Sequence, residues 1–92
     1  MTQVVIESGE HANLSASGQV LSGPGRIIGI FVASTSAGTI KVWDALTATG
    51  DVVVNTFTPL AGAFYPIPAR CVVGAYVTLA GTIDCTVFYR KD

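Results

Sequence analysis

Few residues of this chain have the types that do chemistry, and they are separated along the sequence. His11 is the one histidine, and a histidine activates a serine or cysteine only within a recognisable nucleophile motif, which the sequence lacks. Carboxylates catalyse proton transfer as close pairs, whereas Asp44, Asp51 and Asp84 are set apart by changes of strand. We therefore expect no catalytic residue and a protein that is not an enzyme.

Metal and cofactor sites are not indicated either. Cys71 and Cys85 form no Cys-x-x-Cys motif, and one histidine adds too few ligands for a zinc site. The glycine-rich stretch at residues 22–26 lacks the Gly-Lys-Ser/Thr ending and the following helix of a phosphate-binding loop. We expect no metal and no cofactor. The two cysteines are either small apolar residues in strands or a disulfide between neighbouring strands, and the sequence leaves both open.

The composition points instead to contact with other protein. Half of the residues are hydrophobic and 12% are charged, where about 25% is ordinary for a soluble domain. A chain of 92 residues builds one small core, and monomers rarely expose large apolar patches. We therefore expect a homo-oligomer or a subunit docked onto a larger assembly.

Nucleic acid and membrane are not expected as partners. The net charge is −1, and the five basic residues are scattered along the sequence rather than clustered; they are Arg26, Lys41, Arg70, Arg90 and Lys91. No uninterrupted apolar run approaches the roughly 18 residues that a membrane-spanning helix needs. The first residues lack the pattern of a signal peptide, which favours a soluble, unprocessed chain.

Strand-forming residues dominate the secondary-structure signal. Val, Ile, Thr, Tyr and Phe recur in short runs that Gly, Pro, Ser and Asp interrupt, and no window shows helical periodicity. The pattern predicts a single all-β domain over residues 1–92. The expected fold is a compact antiparallel β-sandwich, jelly-roll-like or Greek-key, of seven to eight short strands. Residues 1–10 are expected to be an extended arm or an edge strand.

Individual runs support more specific predictions. The run at residues 26–34 is apolar on both faces and predicts a central strand, and residues 34–38 predict a hairpin loop after it. The run at residues 39–46 alternates and predicts a half-buried strand. Prolines at two alternate positions make residues 63–69 an edge strand or an extended connection. Residues 71–80 and 82–91 predict a closing hairpin around Gly81.

Six apolar residues are the candidates for an interface. Trp43 shares a strand face with Lys41, opposite the apolar Ile40 and Val42, so that an exposed Trp43 would be an anchor. Next to the proline-interrupted segment stand two further aromatic candidates, Phe64 and Tyr65. The remaining candidates lie in the predicted arm and are suited to pairing with a neighbour's sheet edge; they are Val4, Val5 and Ile6.

From Arg26 to Arg90 the chain resembles the small all-β virion proteins of tailed bacteriophages. The resemblance rests on Gly-Arg-Ile-Ile-Gly-Ile-Phe-Val-Ala-Ser, Gly-Thr-Ile-Lys-Val-Trp-Asp, Tyr-Pro-Ile-Pro-Ala-Arg and the final Gly-Ala-Tyr-Val-Thr-Leu-Ala-Gly-Thr-Ile-Asp-Cys-Thr-Val-Phe-Tyr-Arg. Several such proteins resemble capsid decoration, or cement, proteins. The resemblance implies an oligomer, with a trimer favoured, that is made in the host cytoplasm and sits on the capsid surface of the virion. Its implied partner is the major capsid protein, whose subunits it would bridge.

Two other functions fit the same residues. The first is a phage tail, fibre or adaptor component with the same fold. The second is a small carbohydrate-binding β-sandwich module that recognises sugar through its aromatic side chains.

Overall fold

The computed structural model describes residues 9–92, which fold into six strands and no helix. The interface candidates Val4, Val5 and Ile6, and most of the predicted arm, lie outside the described residues. The predicted all-β, antiparallel class is confirmed. The strands are β1 (Glu10–Leu14), β2 (Gly18–Leu21), β3 (Gly25–Asp44), β4 (Asp51–Phe57), β5 (Ala63–Cys71) and β6 (Ala75–Lys91).

Two long strands, β3 and β6, pair with each other along nearly their whole length and form the centre of the sheet. Strands β1 and β2 follow one another along the outer side of β6, and β5 and β4 do the same along β3. The molecule therefore has two four-stranded parts. Half A has the order β1-β6-β3-β5, and half B has the order β2-β6-β3-β4.

The long strand β6 is bent rather than straight. Leu21 pairs with Ala75 at the start of β6, whereas Gly25 pairs with Lys91 at its end. An extended β6 would separate those ends by about 50 Å, yet the chain from Leu21 to Gly25 spans at most about 14 Å. Strand β6 must therefore bend strongly between its two ends.

A two-stranded corner joins the halves. Here β3 and β6 pair only with each other, and Ala37 and Gly81 have positive φ values of 52° and 75°. A Cβ on Gly81 would lie 2.6 Å from the carbonyl oxygen of Ala37, so the close approach requires glycine.

The corner corrects two sequence predictions. The hairpins predicted at residues 34–38 and around Gly81 are wrong, because the ladder continues through both, with Thr35 opposite Ile83 and Thr39 opposite Ala80. A hairpin pairs a strand with the next strand, whereas each of these segments bends within one strand. Six strands rather than seven or eight are described, because two bent strands resemble four short ones in sequence.

The buried residues form one core that contains no buried polar or charged residue among the described residues. Alternate residues of β6 and their partners on β3 fill it, as strand periodicity requires. The predicted alternation of β3 is confirmed, since Ile40 and Val42 are fully buried.

Both Cys71 and Cys85 are buried and free, so no disulfide joins them. The central-strand prediction for residues 26–34 and the edge-strand prediction for residues 63–69 are also confirmed.

Candidate interaction surfaces

The described residues bring no three metal-ligating side chains together. The nearest approach to a built polar site is the carboxylate of Asp44, which accepts hydrogen bonds from the backbone N–H groups of Val72, Val73 and Gly74 at 2.9–3.3 Å. Burial alone would raise the pKa of Asp44, but these three hydrogen bonds favour the charged form and hold the pKa below its ordinary value. The arrangement fastens the β5–β6 connection to the end of β3, which is a structural task.

The two thiols are poorly suited to chemistry. Burial is the main cause that raises the pKa of both Cys71 and Cys85 to about 11. The negative charges of Asp44 and Asp84, respectively, act in the same direction. At neutral pH both side chains are therefore protonated and act as small apolar groups of the core.

The outward side of half A carries three phenylalanines, Phe31, Phe64 and Phe88, which we call the aromatic face. Phe31 and Phe64 are directly opposite each other on β3 and β5, and the ring centroids of Phe64 and Phe88 are 6.2 Å apart. Phe64 also covers Gly29, where a Cβ would come within 2.4 Å of its ring. Phe64 is 49% exposed and Phe31 38% exposed. Such neighbouring aromatic side chains form a natural protein-contact surface.

Three arginines lie in one row beside the aromatic face. Arg26 is directly opposite Arg70 on β5 and Arg90 on β6, and directly opposed residues point to the same side of a sheet. The carboxylate of Asp92 accepts hydrogen bonds from both terminal nitrogens of Arg70, which lowers the pKa of Asp92 and raises that of Arg70. A shallow cavity of about 310 Å³ is lined by residues of the row and their neighbours; they are Arg26, Ile27, Ile28, Pro68, Ala69 and Arg70.

The sequence prediction missed this row because it treated the basic residues as scattered. Arg26 is the second residue of β3, while Arg70 and Arg90 are the next-to-last residues of β5 and β6. Antiparallel pairing places the start of one strand beside the ends of its neighbours. The positions therefore converge once the strand order is known.

Half B presents Trp43 on its outward side, in a row with Tyr76 and Val52. The Trp43 indole N–H donates a hydrogen bond to the Thr78 hydroxyl at 2.9 Å. The Lys41 ammonium lies 4.3 Å from the centroid of the Trp43 ring, a cation–π geometry. Trp43 is thus engaged by side chains of its own domain.

The described interface candidates do not form one surface. Phe64 belongs to the aromatic face of half A, and Trp43 lies on half B. Tyr65 packs against the core, and its ring centroid lies 5.2 Å from that of Phe57 in an edge-to-face arrangement. Its hydroxyl accepts a hydrogen bond from the Leu60 N–H at 2.8 Å. The ring of Tyr65 is therefore used to hold the β4–β5 connection.

Within residues 9–92 there is no helix long and apolar enough to cross a membrane. The chain matches no protein-family model, and neither a curated protein nor a solved structure is significantly similar to it.

Proposed function

We propose that this chain is a structural virion protein, a capsid decoration subunit that stabilises a phage head by bridging capsid subunits. The observation that carries the proposal is the strand order of the two halves. If the two parts of β3 and of β6 are counted separately, the chain has eight segments. If these segments are numbered 1 to 8 along the sequence, they lie side by side in the order 1-8-3-6 in half A and 2-7-4-5 in half B.

This order is that of a jelly roll, in which two four-stranded layers form a sandwich through two Greek keys. The short connection from Leu21 to Gly25 supports this interpretation, because its two ends pair with opposite ends of β6 and so favour two layers that face each other. Jelly rolls are common in viral capsid proteins and in lectins. The link from architecture to function is an analogy of fold, and the surfaces of the molecule supply the physical support.

The distribution of side chains favours protein contact. Among the described residues the core contains no buried polar or charged residue with which to hold a polar ligand. The aromatic face and the arginine row lie together on the outside of half A, and aromatic residues and arginine are the side chains enriched at protein interfaces. We assign this face to the major capsid protein and expect the subunit to work as a homo-oligomer, with a trimer favoured.

The test is co-sedimentation of the purified protein with empty shells of the major capsid protein encoded in the same phage genome. Wild-type protein should sediment with the shells, and Phe64→Ser should sediment at least tenfold less because it removes the central aromatic ring. Leu60→Ser is the matched control, since Leu60 is a 70% exposed apolar residue outside the aromatic face. Failure of the wild-type protein to bind any shell would contradict the proposal.

The position of the gene distinguishes a tail, fibre or adaptor component from a capsid decoration protein. A gene beside the major capsid gene supports a decoration protein, whereas a gene among tail genes supports the tail component and overturns the capsid assignment.

One observation favours carbohydrate binding as the second candidate, namely the outward row that contains Trp43 and Tyr76 in an architecture shared with lectins. The Lys41 ammonium, however, already lies over the Trp43 ring, and a sugar stacks on an uncovered aromatic face. Binding on a glycan array that Trp43→Ala abolishes and Phe64→Ser preserves would support this candidate over the first.

A further inference from the structure

We propose that the outer edge of β4 accepts residues 2–7 of a second copy of this chain as an added antiparallel or parallel strand. The inference deepens the proposed function and rests on its homo-oligomeric part. It assigns the edge that is shared and the segment that fills it.

The four outer strands differ in how well they are protected against strand addition. Prolines, charged residues, β-bulges and short length are the usual protective devices. Strand β5 contains Pro66 and Pro68, and β1 and β2 have five and four residues. Strand β4 has seven residues, contains no proline and carries its one charge at the first position, Asp51.

The composition and pairing of β4 suit an added strand. Three consecutive valines and a threonine give it high β-propensity, and among the described residues β4 pairs only with β3. Two register shifts interrupt that pairing, so β4 carries β-bulges, but neither proline nor short length, as protection of its edge. Val52 and Asn55 are both exposed. A partner strand on this edge would extend half B from four strands to five.

The sequence of residues 2–7 is Thr-Gln-Val-Val-Ile-Glu, which is complementary to such an edge. Val4, Val5 and Ile6 are β-branched, and polar residues stand on both sides of them. Six residues in an extended conformation span about 20 Å, which matches most of the length of β4. Main-chain hydrogen bonds would supply the affinity, and contacts between the valine side chains would set the register.

Geometry requires that the strand come from another copy. A Cβ on Gly9 would meet the Tyr89 carbonyl oxygen and side-chain atoms of Ile28 and Arg90, which fixes Gly9 beside the β1 edge of half A. With the two halves face to face as proposed above, the β4 edge is three strand spacings and one layer away, about 17 Å. Ile6 precedes Gly9 by three residues and reaches at most about 11 Å, so it cannot reach β4 of its own chain.

The contact is heterologous, because one copy donates a segment and the next copy accepts it at a different surface. Heterologous contacts close into rings when the rotation between copies allows it. The arrangement therefore accounts for a closed oligomer such as the favoured trimer and leaves the aromatic face of every copy uncovered for the capsid.

Cross-linking between two variants that each carry one introduced cysteine tests the contact directly. Chains carrying Val5→Cys are mixed with chains carrying Asn55→Cys and treated with a short bis-maleimide, which tolerates a one-residue difference in register. We expect a mixed dimer at least tenfold more abundant than in the control mixture with Thr82→Cys, an exposed position at the corner. The native thiols compete poorly because they are buried.

A mixed dimer no more abundant than in the Thr82→Cys control overturns the inference. A second measurement guards against a variant that fails to fold. Asn55→Pro removes a backbone donor from β4, whereas Asn55→Ser keeps it; light scattering should show a smaller oligomer only for the proline variant, with unchanged circular dichroism for both. An unchanged oligomer for folded Asn55→Pro also overturns the inference.

The capsid co-sedimentation experiment distinguishes this failure from failure of the proposed function. If wild-type protein binds shells but shows no cross-link, the β4 contact is wrong and the decoration function stands. If the cross-link forms and no shell binds, the β4 contact stands and the decoration function is wrong.

Discussion

The outward faces of the two halves use their aromatic side chains in different ways. On half B, Trp43 donates its N–H to Thr78 and lies beneath the Lys41 ammonium. On half A, Phe64 contacts Phe88 and covers Gly29 but remains half exposed. An aromatic ring that its own domain already engages contributes mainly to stability, whereas an exposed cluster is available to a partner. From this difference we expect Phe64, rather than the larger tryptophan, to be the better interface anchor.

The largest effect should come from a substitution that disrupts the two-stranded corner joining the halves. Gly81→Ala puts a Cβ within 2.6 Å of the Ala37 carbonyl at a φ of 75°, and we expect a loss of about 3 kcal/mol in the free energy of unfolding. Gly62→Ala is the matched control, since Gly62 has a φ of 78° and no atom near the added methyl group. The Gly62→Ala substitution should lower the free energy of unfolding by about 1 kcal/mol. Equal losses in urea titrations would show that the close approach at the corner is unimportant.

The second prediction sharpens the comparison of the two aromatic sites. Trp43→Ala should lower the free energy of unfolding by about 2 kcal/mol because it removes packing and the partner of Thr78, with little effect on capsid binding. Phe64→Ala should lower stability by about 1 kcal/mol and weaken capsid binding about thirtyfold. Urea titration and shell co-sedimentation measure the two effects. The reverse pattern would exchange the roles assigned to the two halves.

The third prediction concerns the connection between β5 in half A and β6. Asp44→Asn replaces a carboxylate that accepts three backbone N–H groups and should lower the free energy of unfolding by about 1 kcal/mol at pH 7. Because folding lowers the pKa of Asp44, its contribution is present above the unfolded pKa of about 3.9. It is lost as the pH falls through the folded pKa. The difference between wild type and Asp44→Asn should therefore shrink in acid, and a constant difference would contradict the account.

The smallest effect is expected at the ion pair of half A. Arg70 and Asp92 are both exposed, and solvent screens such pairs strongly. Asp92→Asn should leave the thermal midpoint unchanged within error at physiological salt. A clear drop in the midpoint would mean that the arginine row depends on this carboxylate for its structure.

Local sequence patterns predicted the parts of the fold that depend on the alternation of apolar and polar residues and on the backbone N–H donors that proline lacks. The alternation around Ile40 and Trp43 sorted the two faces of β3 correctly, and the two prolines of β5 placed that strand at an edge. Both predictions rest on rules that act within a few residues. The all-β antiparallel class followed from the same kind of signal.

The corner and the arginine row depend on pairing between distant residues and were missed. A bend that keeps its ladder and a hairpin both call for glycine and small polar residues, so residues 34–38 and Gly81 resembled turns. Likewise, Arg26 and Arg90 become neighbours only through the register of β3 with β6. Residue types indicated that Trp43 and Phe64 were interface candidates, but only the contacts of Trp43 with Lys41 and Thr78 distinguish the two.

The most direct test of the central claim, that the function lies in protein contacts on a capsid, is an electron-microscopy map of purified virions that carry this chain. The account predicts density for the domain on the outer surface of the head, with Phe64 and the arginine row turned toward the major capsid protein. Virions that lack the chain, or that carry it only in the tail, would contradict it.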